Sequence, residues 1–151
     1  MPDALTEEIF GDVEPIIKGM GFDLVELRSM KTKNGAQVYA VVYRSSGVDL
    51  DSCSDILKTI RPRIQMIAGN PDVHIEVSSP GMERVLKDKR EFGIFLGRGI
   101  RVLARDRADW IGGVVAGVSG DGLHLDTGKE KVFLSYADIK KAKLDYTQEV
   151  R

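Results

Sequence analysis

The stretch VHIEVSSPGMERVLK, residues 73–87, changes character at its centre. Apolar and polar residues alternate over 73–78, which predicts a half-buried β-strand. The strand gives way to Ser-Ser-Pro-Gly at 78–81, residue types that form turns, because proline presets its φ angle and glycine tolerates positive ones. The charged pair Glu83 and Arg84 follows directly. The sequence therefore predicts a strand that ends in a rigid turn and is followed by a charged segment.

Upstream of this stretch, the pattern alternates between helix and strand. Apolar residues at spacings of three and four predict an amphipathic helix over 4–20. Residues 22–30 and 37–44 have strand character and are separated by an Asn-Gly turn signal, which predicts a hairpin. The second of these strands is apolar on both faces at its centre, so we expect it to lie inside the sheet.

A second amphipathic helix is predicted to begin at about Asp49 or Asp51, and Pro62 within it is expected to kink or split it, because proline lacks an amide proton. The strand over 73–78 follows. Helix, two strands, helix and strand together indicate an N-terminal two-layer α/β domain, which we place at residues 1–88.

From Gly97 onward, short strand-like pieces alternate with glycine-rich turns, which is typical of a small, strongly bent β-barrel. We place this C-terminal domain at residues 89–151. The linker, at about 86–96, has no proline or serine-rich tract and is expected to be short and stiff, with a turn of helix. The fold class predicted for the whole chain is α+β, in two domains.

Composition and charge indicate a globular, cytoplasmic protein. Of the 151 residues, 42% are hydrophobic and 30% charged, one is cysteine, and no apolar run approaches the roughly 18 residues of a membrane helix. The net charge of −1 divides into −4 over residues 1–88 and +3 over 89–151, and residues 84–107 hold eight bases against three acids. This basic stretch is either a solvated face or the contact for a polyanionic partner.

The sequence contains few candidates for catalytic or metal-binding residues. Ser78 and Ser79 lie in a loop after a strand, but G-x-S-x-G is absent, and His74 is more than about 10 Å away along the same strand. Cys53 lies on the apolar side of a helix, and the two histidines form no metal-ligand spacing with it. We therefore expect no enzyme, no cofactor, no metal and no small-molecule substrate, and keep a serine enzyme as a testable alternative.

The run from Ile75 to Lys87 resembles the hallmark of the bacterial ribosome maturation factor RimP family. It departs from the family's common residues at Met82, Glu83 and Val85, while Arg84 is kept, and Tyr43 stands where the family often has an acid. The likeness extends over nearly the whole chain, through Gly21–Leu27, Val48–Cys53, Gly97–Val102 and Ile139–Leu144.

This resemblance implies a type II KH-like first domain, with helix, two strands, helix and two strands, and a C-terminal SH3/Sm-like barrel. It also implies a monomeric, non-enzymatic role in ribosome biogenesis. The expected partner is the free small ribosomal subunit late in its assembly, through a ribosomal protein near the decoding centre and adjacent rRNA. The alternative is a free-standing RNA-binding module of KH-plus-Sm type, and Sm-like barrels also form rings.

The residues around the turn are the candidates for partner binding or for a contact between the domains. We expect Glu83 and Arg84 to pair across the domain boundary, with basic residues lining the adjoining surface. Arg84 either holds the domains in register or contacts a partner. The variant Arg84→Ala distinguishes the two hypotheses, because a loss of stability indicates the first and a loss of binding at unchanged stability indicates the second. The full candidate set is Ser78, Ser79, Pro80, Gly81, Glu83, Arg84, Lys87, Arg90, Arg98 and Arg101.

Overall fold

The computed structural model describes residues 3–149 and divides into two compact units, Met1–Pro80 and Gly81–Arg151. The boundary placed from the sequence, between residues 88 and 89, lies further along the chain. Residues 84–86 lie in the second unit because they pair with its last strand.

The first unit has a three-stranded sheet in the order β1-β2-β3. The hairpin strands β1 and β2 are antiparallel, and β3 is parallel to β2 because a helix connects them. The interior place expected for the second strand is therefore confirmed. After the second helix the described residues of this unit hold one strand, where the family resemblance implies two. The elements are α1 (Ala4–Gly19), β1 (Asp23–Lys31), β2 (Ala36–Tyr43), α2 (Leu50–Ala68) and β3 (Val73–Ser78).

Both helices begin at an aspartate whose side chain caps the first turn. The Asp3 carboxylate accepts from the Thr6 amide at 2.8 Å, and that of Asp49 accepts from the Ser52 amide at 2.7 Å. α2 continues through Pro62 as one helix, so of the two outcomes expected at this proline, a kink or a split, the split does not occur. Fully buried apolar residues on both sides of the proline hold the helix against the sheet and offset the missing hydrogen bond. The core contains Ile9, Val13, Ile17, Leu24, Val38, Ala40, Val42, Ile56, Ile60 and Ile64.

The second unit has a five-stranded antiparallel sheet in the order β7-β6-β5-β4-β8. Among the described residues no pairing joins β7 to β8, so the hydrogen-bonding pattern is that of an open sheet. The elements are α3 (Lys89–Ile94), β4 (Gly99–Ala104), β5 (Trp110–Val118), β6 (Gly122–Asp126), β7 (Lys131–Ser135) and β8 (Ile139–Leu144), with 3-10 turns at Tyr136–Asp138 and Tyr146–Glu149.

The charged segment after the turn extends this sheet beyond β8. The Leu86 amide donates to the Ala142 carbonyl, and the Leu144 amide donates to the Arg84 carbonyl, both at 2.9 Å, and an isolated bridge joins Val85 to Lys143. The inward face of the sheet is apolar, and it is covered by two buried phenylalanines, Phe92 in α3 and Phe95 at the C-cap of that helix. This core contains Leu86, Phe92, Phe95, Ile100, Val102, Val115, Leu123, Leu125 and Ala142. Within residues 3–149, no helix combines the length and apolar character that crossing a membrane requires.

Candidate functional site

The turn after β3 is exposed at both serines. Ser78 ends β3 and Ser79 follows it, and the Gly81 carbonyl accepts from the Arg84 amide at 3.1 Å. Gly81 does not adopt a positive φ angle, so glycine's freedom is not required there, contrary to the expectation from its residue type. His74 lies with its Nε2 3.2 Å from the Glu76 carboxylate. The His74 ring is therefore partnered by a carboxylate rather than by a serine.

Arg84 forms a buried ion pair with Glu91. The Arg84 Nε donates to Glu91 Oε1 at 2.9 Å, and the two side chains are 10% and 2% exposed. The other carboxylate oxygen, Oε2, accepts from the Lys87 amide at 3.2 Å. Glu91 lies in the first turn of α3, where its own amide donates to Asp88 Oδ1 at 3.1 Å. The pair therefore ties the segment after the turn to α3, inside the second unit.

Two further candidate arginines also pair within the second unit. Arg101 Nη2 donates to Glu83 Oε1 at 3.2 Å, and the Glu83 side chain is 76% exposed. Arg98 Nε lies 3.0 Å from Glu149 Oε2, which also accepts from the Gly99 amide at 2.8 Å. Glu83 and Arg84 thus each pair with a residue of their own unit. Arg98 holds the C-terminal 3-10 turn against the start of β4.

A pocket of about 210 Å³ in the second unit is lined by four lysines, and we call it the lysine pocket. One wall is aromatic, because the rings of Phe92 and Tyr136 stack with their centroids 5.7 Å apart. Burial raises the pKa of the Tyr136 hydroxyl, which donates to the Ser119 carbonyl at 3.1 Å and remains protonated at neutral pH. The lysines are Lys87, Lys89, Lys140 and Lys141.

The lining also includes one acid, Asp88, so lysines outnumber acids four to one and the positive balance suits an oxyanion such as a phosphate group. Only Lys87 of the four is a candidate from the sequence. The run Lys140-Lys141-Ala142-Lys143 is a usable signal, but its place beside α3 depends on the folding of β8. Arg90 lies exposed on α3 and does not line the pocket. In the described part of the chain, no group of three or more His, Cys, Asp or Glu side chains is placed to hold a metal ion.

Comparison with known proteins finds similarity to one family. Residues 12–83 match the family model described as the RimP N-terminal domain. Curated relatives named "Ribosome maturation factor RimP" match 137 residues, which are 91% of this chain and 94% of each relative. The relative from Borrelia turicatae is 26% identical, that from Borrelia recurrentis 28% and that from Borrelia hermsii 26%.

Residues 12–83 thus form a domain of the RimP N-terminal type. The relatives align over nearly their whole length as well as nearly all of this chain, so the similarity to the RimP family extends well beyond residues 12–83.

Proposed function

We propose that this protein is a ribosome maturation factor that binds the free small ribosomal subunit and assists its late assembly without catalysis. The observation that carries the proposal is the match over 91% of the chain to relatives named for ribosome maturation. The cytoplasm is the corresponding location, and a monomer is the expected state.

The mechanism is a shift of conformational populations. A protein that only binds favours the subunit conformation for which it has the higher affinity, and it leaves unchanged any equilibrium between conformations that it binds equally. Assistance therefore requires a surface that distinguishes immature from mature subunits.

The distribution of charge supports a mixed protein and RNA surface. The first unit holds 12 acids and 8 bases, which suits a basic ribosomal protein near the decoding centre. The second unit holds 11 acids and 14 bases and contains the lysine pocket, which suits the phosphates of adjacent rRNA. A net charge of −1 disfavours tight binding to RNA of any sequence, because such binding needs many phosphate contacts.

The finer fold assignment belongs to the same proposal. A first unit of KH-like type and a five-stranded sheet curved as in SH3 or Sm folds would present the two surfaces on separate small domains. The antiparallel order of the second sheet and its glycine-rich strands support the SH3/Sm assignment.

Co-sedimentation tests the function directly. Purified protein is mixed with free small subunits, with joined ribosomes and with naked small-subunit rRNA, each at two salt concentrations. We expect it to sediment with free subunits, weakly with naked rRNA and not with joined ribosomes. Sedimentation with none of the three would overturn the proposal.

The lysine pocket gives specific support to the alternative of a free-standing RNA-binding module. That module would bind naked rRNA as tightly as it binds subunits, with an affinity that falls steeply as salt rises. A serine enzyme would instead react with a fluorophosphonate probe, and we expect no labelling at Ser78 or Ser79.

A further inference from the structure

The outward face of the second sheet carries the chain's single tryptophan among basic residues. Trp110 begins β5 and lies opposite Leu103 of β4, while Lys143 of β8 lies opposite Arg101. The alternate residues of β4 and β8, such as Val102 and Ala142, are buried at 0% and 1% exposure. The set therefore points away from the core. We call it the Trp110 surface, and it consists of Arg101, Leu103, Trp110, Lys141 and Lys143.

Two cations contact the indole. The Arg101 guanidinium carbon lies 5.5 Å from the ring centroid and the Lys143 ammonium 5.9 Å from it, both within cation–π range. Trp110 is nevertheless 39% exposed. Of the nearby carboxylates, that of Glu83 lies 3.2 Å from Arg101 and fixes the position of this guanidinium. Hydrogen bonds from Thr147 and Gln148 lower the pKa of the nearby Asp145 carboxyl, and the positive charge of Arg101 contributes to the same shift.

An exposed aromatic ring flanked by cations has the chemistry that binds single-stranded nucleic acid. Unpaired bases stack on aromatic side chains, and neighbouring lysines and arginines contact the phosphates. A duplex offers no free base for stacking, and an acidic peptide would satisfy the cations but would leave the indole without a matching group. The Trp110 surface shares Lys141 with the lysine pocket, so basic residues continue from one to the other.

We propose that the Trp110 surface binds an unpaired segment of RNA, with one base stacked on Trp110 and the flanking phosphates contacted by Lys141 and Lys143. This inference rests on the proposed function for the biological source of the RNA, but the stacking itself is testable without ribosomes. Because the chain has one tryptophan, its intrinsic fluorescence reports on this site alone.

The first measurement is a fluorescence titration with a single-stranded oligouridylate of about twelve nucleotides, a length that a small binding fold covers. We expect saturable quenching, and little quenching by an RNA duplex of equal charge. Affinities of variants are then measured by anisotropy with a labelled strand. Trp110→Ala should weaken binding by about 5-fold to 150-fold, as expected for the loss of one stacked base, while Trp110→Phe should retain most of the affinity.

Two controls separate a local contact from misfolding or general charge. Phe133 is another exposed aromatic residue of the same sheet, 50% exposed and packed on His124, and Phe133→Ala should leave the affinity unchanged. Glu83→Gln removes the carboxylate that lies beside the Trp110 surface and would repel a phosphate there, and should tighten binding about two-fold to five-fold, the range for an exposed ion pair. Urea denaturation of each variant verifies that it is folded.

The outcomes distinguish this inference from the proposed function. If folded Trp110→Ala binds the oligonucleotide as well as the unchanged protein does, the stacking proposal is overturned, whether or not subunits co-sediment. The same holds if Trp110→Ala loses subunit binding and keeps RNA binding, since the surface would then face a protein. If Trp110-dependent RNA binding is found but free subunits do not co-sediment, the stacking site stands and the proposed function fails.

Discussion

The Arg84 guanidinium and the Glu91 carboxylate are both buried, so either charge without the other would destabilise the folded state. The pair is 2.9 Å apart, with exposures of 10% and 2%. Removing one partner of a buried pair leaves an uncompensated charge, whereas an exposed pair contributes little. The geometry supports the structural reading of Arg84.

Arg84→Met should therefore destabilise the second unit by about 3–5 kcal/mol, because Glu91 would remain buried and unpaired. Urea denaturation followed by circular dichroism measures the change. The matched control is Glu83→Gln, which breaks the exposed pair with Arg101 and should cost less than about 1 kcal/mol.

The double variant Arg84→Met, Glu91→Gln should recover part of this loss, since neither charge remains. Equal stability of Arg84→Met and the unchanged protein, together with lost subunit binding, would contradict the structural reading and make Arg84 a partner contact.

At the scale of elements, the β1–β2 hairpin depends on a close approach of two backbones. A Cβ atom at Gly35 would lie 1.8 Å from the Asp72 carbonyl oxygen, which accepts from the Ala36 amide at 3.2 Å. The hairpin is thus joined to the start of β3 at a position where only glycine fits. In α1, by contrast, a Cβ at Gly11 would meet nothing within 4 Å.

Two glycine-to-alanine changes should consequently have opposite signs. Gly35→Ala should destabilise the protein by about 1–3 kcal/mol, because the turn must move away from Asp72. Gly11→Ala should stabilise it by about 1 kcal/mol, since alanine is the better residue in a helix interior. Thermal unfolding of both variants measures the two shifts, and a loss of stability from Gly11→Ala would contradict the argument.

For the whole molecule, the position of the boundary between the two units determines which contacts stabilise the second unit. A boundary after Pro80 leaves Arg84 and the pairing of Arg84–Leu86 with β8 inside the second unit. A boundary after residue 88, as placed from the sequence, would remove both and leave Glu91 without its arginine.

A fragment of residues 81–151 should accordingly unfold cooperatively, and one of residues 89–151 should not. The shorter fragment loses about 3–5 kcal/mol from the ion pair, a large part of the roughly 5–15 kcal/mol available to a small domain. Circular dichroism during urea denaturation distinguishes them. Equal cooperativity would favour the boundary at 88.

The sequence by itself determined the order of helices and strands, the bounds of the strand over 73–78, the interior place of β2 and the likeness to the RimP family, because each depends on local periodicity or a short motif. The tertiary structure decided the ion-pair partners of Glu83 and Arg84. It also placed Arg101 and Lys143, which are far apart in the chain, beside the Trp110 ring. Those contacts depend on strand order and register, which join residues far apart in the chain, and no local pattern encodes them.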